Sequence, residues 1–282
     1  MSTAPLLTLS HLLAAAGNTA LAAAAPVFDL MVPRKGYAVR RDLAYGQDSR
    51  QSLDLYVPDG LAAPAPVILY FYGGSWQSGS KNIYRALGQA FAGAGIIVAV
   101  ADYRLYPQVK YPAFVHDGAA ALSFVHAHIA EHGGDPARVF LTGHSAGAYI
   151  AALLACDPTY LGAARSEWIR GVIGIAGPYD FLPLYDPVLI DIFGGDRVMT
   201  TQPIKYAGNK TPPMFLAHGT ADKTVGAGNS RRMAQRLRAA GNEVELIEYP
   251  GIGHLGLVLS LASGFRHTTT LYNDMLRFIR AH

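Results

Sequence analysis

From residue 36 onward, short apolar runs alternate with longer stretches of helical periodicity. The runs 66–72, 96–101, 139–141, 172–176 and 214–217 carry no charged residue. Apolar runs of this length predict strands buried on both faces, as in a parallel sheet. Three further runs alternate apolar and polar positions. Residues 37–44 and 52–56 predict two outer strands joined by a polar turn at 46–50, and 243–249 predicts a strand nearer an edge.

Helical segments fall between these runs at 82–94, 112–132, 146–156, 225–240 and 268–282. Gly95, Gly133 and Gly241 follow three of them, where glycine suits the left-handed cap position. The alternation predicts right-handed crossovers and a mostly parallel, eight-stranded sheet with helices on both faces, an α/β fold. Residues 178–207 break the rhythm. They are rich in Pro, Tyr, Phe, Leu and Asp, and predict a cap inserted into a domain spanning 36–282. Residues 6–25 are rich in Ala and Leu, and Ala22 to Ala25 before Pro26 resemble a cleavage site. The first basic residue is Arg34, so the charged start of a signal peptide is missing. Residues 1–35 therefore read as a helical arm or cap. A cytoplasmic location is expected, with export left open.

Composition narrows the class. The chain has 282 residues, 51% hydrophobic and only 15% charged, which is enough for a full core and too apolar for disorder. No unbroken apolar run reaches the ~18 residues of a membrane-spanning helix. The single cysteine, Cys156, allows no internal disulfide and reads as a small buried hydrophobe. The net charge of +3 is mild, and the one basic cluster is Arg231, Arg232, Arg236 and Arg238. These spread over more than one helix face, so no nucleic-acid partner is expected.

The chemistry centres on Gly143-His144-Ser145-Ala146-Gly147, a G-x-S-x-G motif between an apolar strand and a helix. A sharp turn there presents the Ser145 hydroxyl at the carboxyl end of the sheet, and the helix N-terminus points N–H groups at a developing oxyanion. Serine needs a base, and the base needs an acid to orient it. Asp222, in His218-Gly219-Thr220-Ala221-Asp222, and His254, in Gly251-Ile252-Gly253-His254, follow two later strands in the required order. Asp191 and Asp196 are rival acids in the suspected cap, and His218 is a rival base. His116, His126, His128 and His132 share one helical stretch but lack metal-ligand spacing, and no metal is expected. Gly251 to Gly256 also matches G-x-G-x-x-G, but no βαβ unit can follow it, so no dinucleotide cofactor is implied.

Phe71-Tyr72-Gly73-Gly74-Ser75-Trp76 follows another strand. Its glycines let backbone N–H groups approach a substrate oxygen, so Gly73, Gly74 and Ala146 form the expected oxyanion hole. Together with Asp102-Tyr103-Arg104-Leu105-Tyr106-Pro107, these pieces resemble the α/β-hydrolase carboxylesterases with an H-G-G-x-W oxyanion motif. That grouping includes hormone-sensitive-lipase-like esterases, arylformamidases and prenylcysteine methylesterases. The family's His, which the resemblance implies braces the loop, is Tyr72 here, whose phenol can also donate a hydrogen bond, and His144 stands where some relatives carry Asp. Tyr72 and the missing third Gly shift the likeness towards the formamidase and prenylcysteine-esterase side. The resemblance implies an α/β-hydrolase fold, no cofactor, and hydrolysis through an acyl-Ser145 intermediate.

The expected substrate is a small uncharged ester with a short to medium acyl chain. Its pocket is expected from Tyr72, Trp76, Tyr179, Phe181, Leu182 and Phe193, which are aromatic or apolar. Amidase or formamidase activity on the same triad, and a non-catalytic binding protein, are the alternatives. A homodimer is compatible with the sequence.

Overall fold

A computed structural model describes residues 32–162 and 164–282. The arm expected at 1–35 lies, through residue 31, outside the described residues. The strands are β1 (Tyr37–Ala44), β2 (Ser52–Pro58), β3 (Ala65–Phe71), β4 (Ile97–Ala101), β5 (Gly134–His144), β6 (Gly171–Ile175), β7 (Met214–Gly219) and β8 (Val244–Tyr249). They form one sheet in the order β1-β2-β4-β3-β5-β6-β7-β8. β1 and β2 pair antiparallel, as do β2 and β4, and every other pairing is parallel. This is the α/β-hydrolase arrangement.

The helices are α1 (Arg85–Ala92), α2 (Ala113–His128), α3 (Ala146–Cys156), α4 (Pro158–Leu161), α5 (Ala164–Trp168), α6 (Pro187–Phe193), α7 (Pro203–Tyr206), α8 (Gly228–Ala239), α9 (His254–Leu259) and α10 (Leu271–Ala281). α3 is buried at every residue, Cys156 included, which its run of Ala, Leu and Ile permits. It packs against β3, β5 and β6 at the centre of the sheet. No helix among the described residues is long and apolar enough to cross a membrane.

Two elements depart from the sequence pattern. In β2, the alternation of Ser52, Leu53, Asp54 and Leu55 does not produce a wet face, because all four are buried. Asp54 accepts Lys81 Nζ at 3.0 Å and Arg41 Nη1 at 3.0 Å, so paired charge replaces water on that side. The segment that begins at His254 does not stay a loop. His254 itself opens α9, with Gly253 at the cap.

Candidate active site

β5 and α3 meet at Ser145, whose backbone has φ 54° and ψ −122°. A non-glycine residue at positive φ is strained by about 1–3 kcal/mol and persists only where its surroundings enforce it. Here Ser145 N–H donates to Ile175 O of β6 at 2.9 Å. A Cβ on Gly143 would sit 2.2 Å from Gly147 C, and one on Gly147 would sit 1.9 Å from Phe71 O. The two glycines thus let strand, turn and helix approach at backbone contact. Ala146 follows as the first residue of α3, where an amide has no intrahelical acceptor.

The carboxylate comes from the loop after β7. Asp222 Oδ1 accepts the N–H groups of Thr224 and Val225, each at 2.9 Å. Its Oδ2 accepts His254 Nδ1–H at 2.7 Å. Burial pushes the Asp222 carboxyl up, but donors from His218, His254 and Val225 outweigh it and hold the group well below the usual carboxylate range. With Nδ1 donating, His254 Nε2 is left as the acceptor nitrogen, the tautomer a general base requires.

The rival groups lie elsewhere or do other work. His218 is fully buried, with Nε2 donating to Val225 O at 2.8 Å and Nδ1 accepting from Ser230 Oγ at 2.7 Å. Its Nε2 also lies 3.4 Å from Asp222 Oδ2, so it braces the acid loop. Asp191 pairs with Lys110 at 2.6 Å and Asp196 with Arg197 at 3.6 Å, both exposed. His144, beside Ser145, donates Nε2–H to His254 O at 3.0 Å. The structure therefore brings the segments bearing Ser145, Asp222 and His254 to one end of the sheet.

The Gly73-Gly74 loop lies against the same serine. A Cβ on Gly73 would come 2.9 Å from Ser145 Cβ, so any side chain there would collide with the serine. Ser75 and Trp76 follow at φ 52° and 60°, and Gly74 O accepts the N–H groups of Gln77 and Ser78 at 2.9 and 3.1 Å. A tight turn thus fixes the loop from behind.

Tyr72, expected in the pocket, sits beneath this loop and is fully buried. Its Oη donates to Asp102 Oδ1 at 2.6 Å and accepts Arg50 Nη2–H at 2.6 Å. Its carbonyl accepts Tyr103 Oη–H at 2.8 Å, and its ring stacks between Tyr84 and Tyr103. The phenol therefore braces the loop and does not line a cavity. Sequence reading quoted Asp102 only as part of a motif and missed Arg50.

Ser145 and Ala146 open into a cleft of about 340 Å³. Trp76 and Phe181 line it, as expected, with Leu184, Tyr185, Leu189 and Val225. Phe193 stands behind Trp76, edge to face at 4.8 Å, and is not part of the lining. Tyr179 is fully buried against Gly174 and Gly177, away from the cleft. Leu182 yields its place to Pro183 and Leu184. The wall is held by amides that sequence reading did not single out. Asn229 Oδ1 accepts the N–H groups of Tyr179 and Asp180 at 2.9 and 2.8 Å, and Gln202 Oε1 accepts that of Phe181 at 2.9 Å.

Outside the site, His116 packs on Tyr160, His126 stacks on Trp168, and His128 meets Glu131 at 3.1 Å. No group of three His, Cys, Asp or Glu suited to a metal occurs among the described residues. In the basic cluster, Arg231 pairs with Glu248 at 2.7 Å, and Arg232 pairs with Asp180.

Comparison with known proteins places the chain among esterase-related sequences and folds. The BD-FAE family model matches residues 53–237. The chain is 33% identical over 269 residues to the isoprenylcysteine alpha-carbonyl methylesterase ICME of Arabidopsis thaliana, covering 86% of this chain and 62% of that protein. It is 30% identical over 242 residues to the esterase LipC of Mycobacterium tuberculosis, covering 77% and 60%. The chain spans about half to three-fifths of the length of the curated relatives it matches. Among solved structures, a thermophilic esterase of Thermogutta terrifontis superposes with a TM-score of 0.69 at 28% identity, covering 89% of this chain and 93% of the other. A truncated carbohydrate esterase from gut microbiota superposes at 0.75 with 21% identity, covering 88% and 98%, and shares the fold.

Proposed function

The chain belongs to the BD-FAE family, and on that premise we propose that it is a serine hydrolase cleaving carboxylic esters of short to medium acyl chains. The observation that carries the reading is the 2.7 Å bond from His254 Nδ1 to the Asp222 carboxylate, beside a strained serine elbow that opens into a cleft. Esterase names among the relatives support it.

In the proposed reaction, Ser145 Oγ attacks the ester carbonyl carbon as its proton passes to His254 Nε2. The carbonyl π pair moves onto oxygen. Backbone N–H groups of Gly73, Gly74 and Ala146 receive that oxyanion, each donor lowering the barrier by ~3 kcal/mol. The C=O bond re-forms, the C–O bond to the alcohol breaks, and the alcohol takes the proton from His254. Water then attacks acyl-Ser145 in the same way, freeing the carboxylic acid and restoring the serine. Asp222 keeps the imidazole in its working tautomer and offsets its positive charge.

The aromatic floor supports short acyl groups. Trp76 is backed by Phe114, Tyr149 and Phe193 with ring centroids 4.8 to 5.9 Å away, so the cleft does not extend behind it. p-Nitrophenyl acetate, butyrate, octanoate and palmitate test this, with N-formylkynurenine as the formamide. Acetate or butyrate should give the highest kcat/KM, and Ser145→Ala should abolish turnover of both. Faster hydrolysis of N-formylkynurenine than of any ester would replace the reading with a formamidase.

A further inference from the structure

His144 is a buried titratable group beside the nucleophile with no part in the proton transfers described. His144 is 1% exposed and lies at the junction of three segments. It directly precedes Ser145 in the elbow. Its Nδ1 lies 3.0 Å from where a Gly73 Cβ would be, so it abuts the oxyanion loop. Its Nε2–H donates to the backbone carbonyl of His254 at 3.0 Å, and the two imidazole rings lie 4.5 Å apart at 45°.

Sheet topology explains why that bond matters. β5 carries the serine, and the base follows β8, with β6 and β7 between them. Three strand spacings place the two strand ends roughly 14 Å apart. The base segment must fold back across the sheet, and the sheet's own ladder does not hold it over the serine. We propose that His144 is a positioning residue whose Nε2–H fastens the backbone of His254 to the nucleophile elbow and sets the separation of base and serine. This rests on the triad reading given above.

The ring must stay neutral to do this without cost to the base. A second positive charge 4.5 Å from His254 would oppose proton transfer from Ser145. Burial first, and then the charge of His254, push His144 down to about 3. The groups facing it are His254 on α9, Asp222 in the loop after β7, and His218 on β7, with Asp222 and the bond to the His254 carbonyl pulling the other way.

Nitrogen-15 NMR of the histidines in the full chain reads the state of His144 without any substitution. The expected result is a neutral Nε2–H ring that does not titrate over the pH range in which ester hydrolysis rises. An Nδ1–H ring, or one that titrates in that range, overturns the proposal. Kinetics give the second reading. His144→Ala should lower kcat roughly 10- to 100-fold through misplacement of the base, with little change in KM. His144→Gln, which extends an N–H to a similar reach, should restore most of that loss. An unchanged kcat in His144→Ala overturns the proposal. Circular dichroism of both variants identifies loss of fold, in which case the NMR result on the unsubstituted chain decides. Capture of Ser145 by a fluorophosphonate in the unsubstituted chain separates the two readings. Without capture the hydrolase reading falls and the proposal with it. With capture and an unaffected His144→Ala, the proposal alone falls.

Discussion

Asp222 holds its charge because the fold surrounds it with donors: two backbone N–H groups on one oxygen, His254 on the other, and His218 close by. Its folded-state pKa lies below the ordinary 3.8, so the folded chain binds fewer protons there than the unfolded chain. The stabilisation this gives is complete above the ordinary carboxylate range. It is lost as pH falls through that range towards the folded value. Asp222→Asn should therefore flatten the fall in melting temperature between about pH 5 and pH 2, since the amide does not titrate. In the same variant kcat/KM should drop by roughly 10³- to 10⁴-fold, because an amide can present the wrong group to the imidazole. Near-normal activity in Asp222→Asn would remove it as the acid. The motifs bearing Ser145, Asp222 and His254 could be placed at strand ends from the sequence because each follows a strand-like run, apolar before Ser145 and Asp222 and alternating before His254. Tyr72 read as pocket lining, with a bracing role suggested only by the family's His that it replaces. An aromatic beside a glycine loop looks like pocket lining until Arg50 and Asp102, distant in sequence, are seen on its hydroxyl.

At the level of elements, the elbow depends on backbone contact between α3 and β3. A methyl group at Gly147 has nowhere to go, since its carbon would fall 1.9 Å from Phe71 O and 2.8 Å from Tyr72 O. Gly147→Ala should destabilise the fold by more than about 3 kcal/mol, measured by urea denaturation, since neither neighbour is a side chain that can swing away. A wild-type midpoint would contradict the packing described. The central strands were legible for the same reason the packing is tight: runs such as Val67 to Phe71 are apolar on both faces. β2 was legible as a strand but not as a buried one, because Asp54 reads as solvent-facing until Lys81 and Arg41 are found opposite it. The short helices were missed. α6 spans two turns, yet Asp186 caps it by accepting Val188 N–H, Pro187 starts it and Gly194 ends it at φ 73°. Those three residues were the available signal. α9 was hidden by the glycines around His254, which read as loop.

Across the whole molecule, the low charge of the sequence has a structural cause. The central strands are buried on both faces, α3 is buried along its full length, and the rings around Trp76 carry the same core out to the cleft. The strand order was not readable from the sequence, because apolar runs specify that strands are central without specifying their neighbours. That order carries the function proposed here. It sets the serine two strands from the acid's strand and three from the base's, and leaves loops to close the gap. The claim that these loops assemble one nucleophilic serine is tested most directly by treating the folded chain with a fluorophosphonate and mapping the adduct by peptide mass spectrometry. The account predicts a single adduct on the peptide carrying Ser145, lost in His254→Ala as well as in Ser145→Ala. No adduct, or an adduct formed as fast in His254→Ala as in the unsubstituted chain, would contradict it.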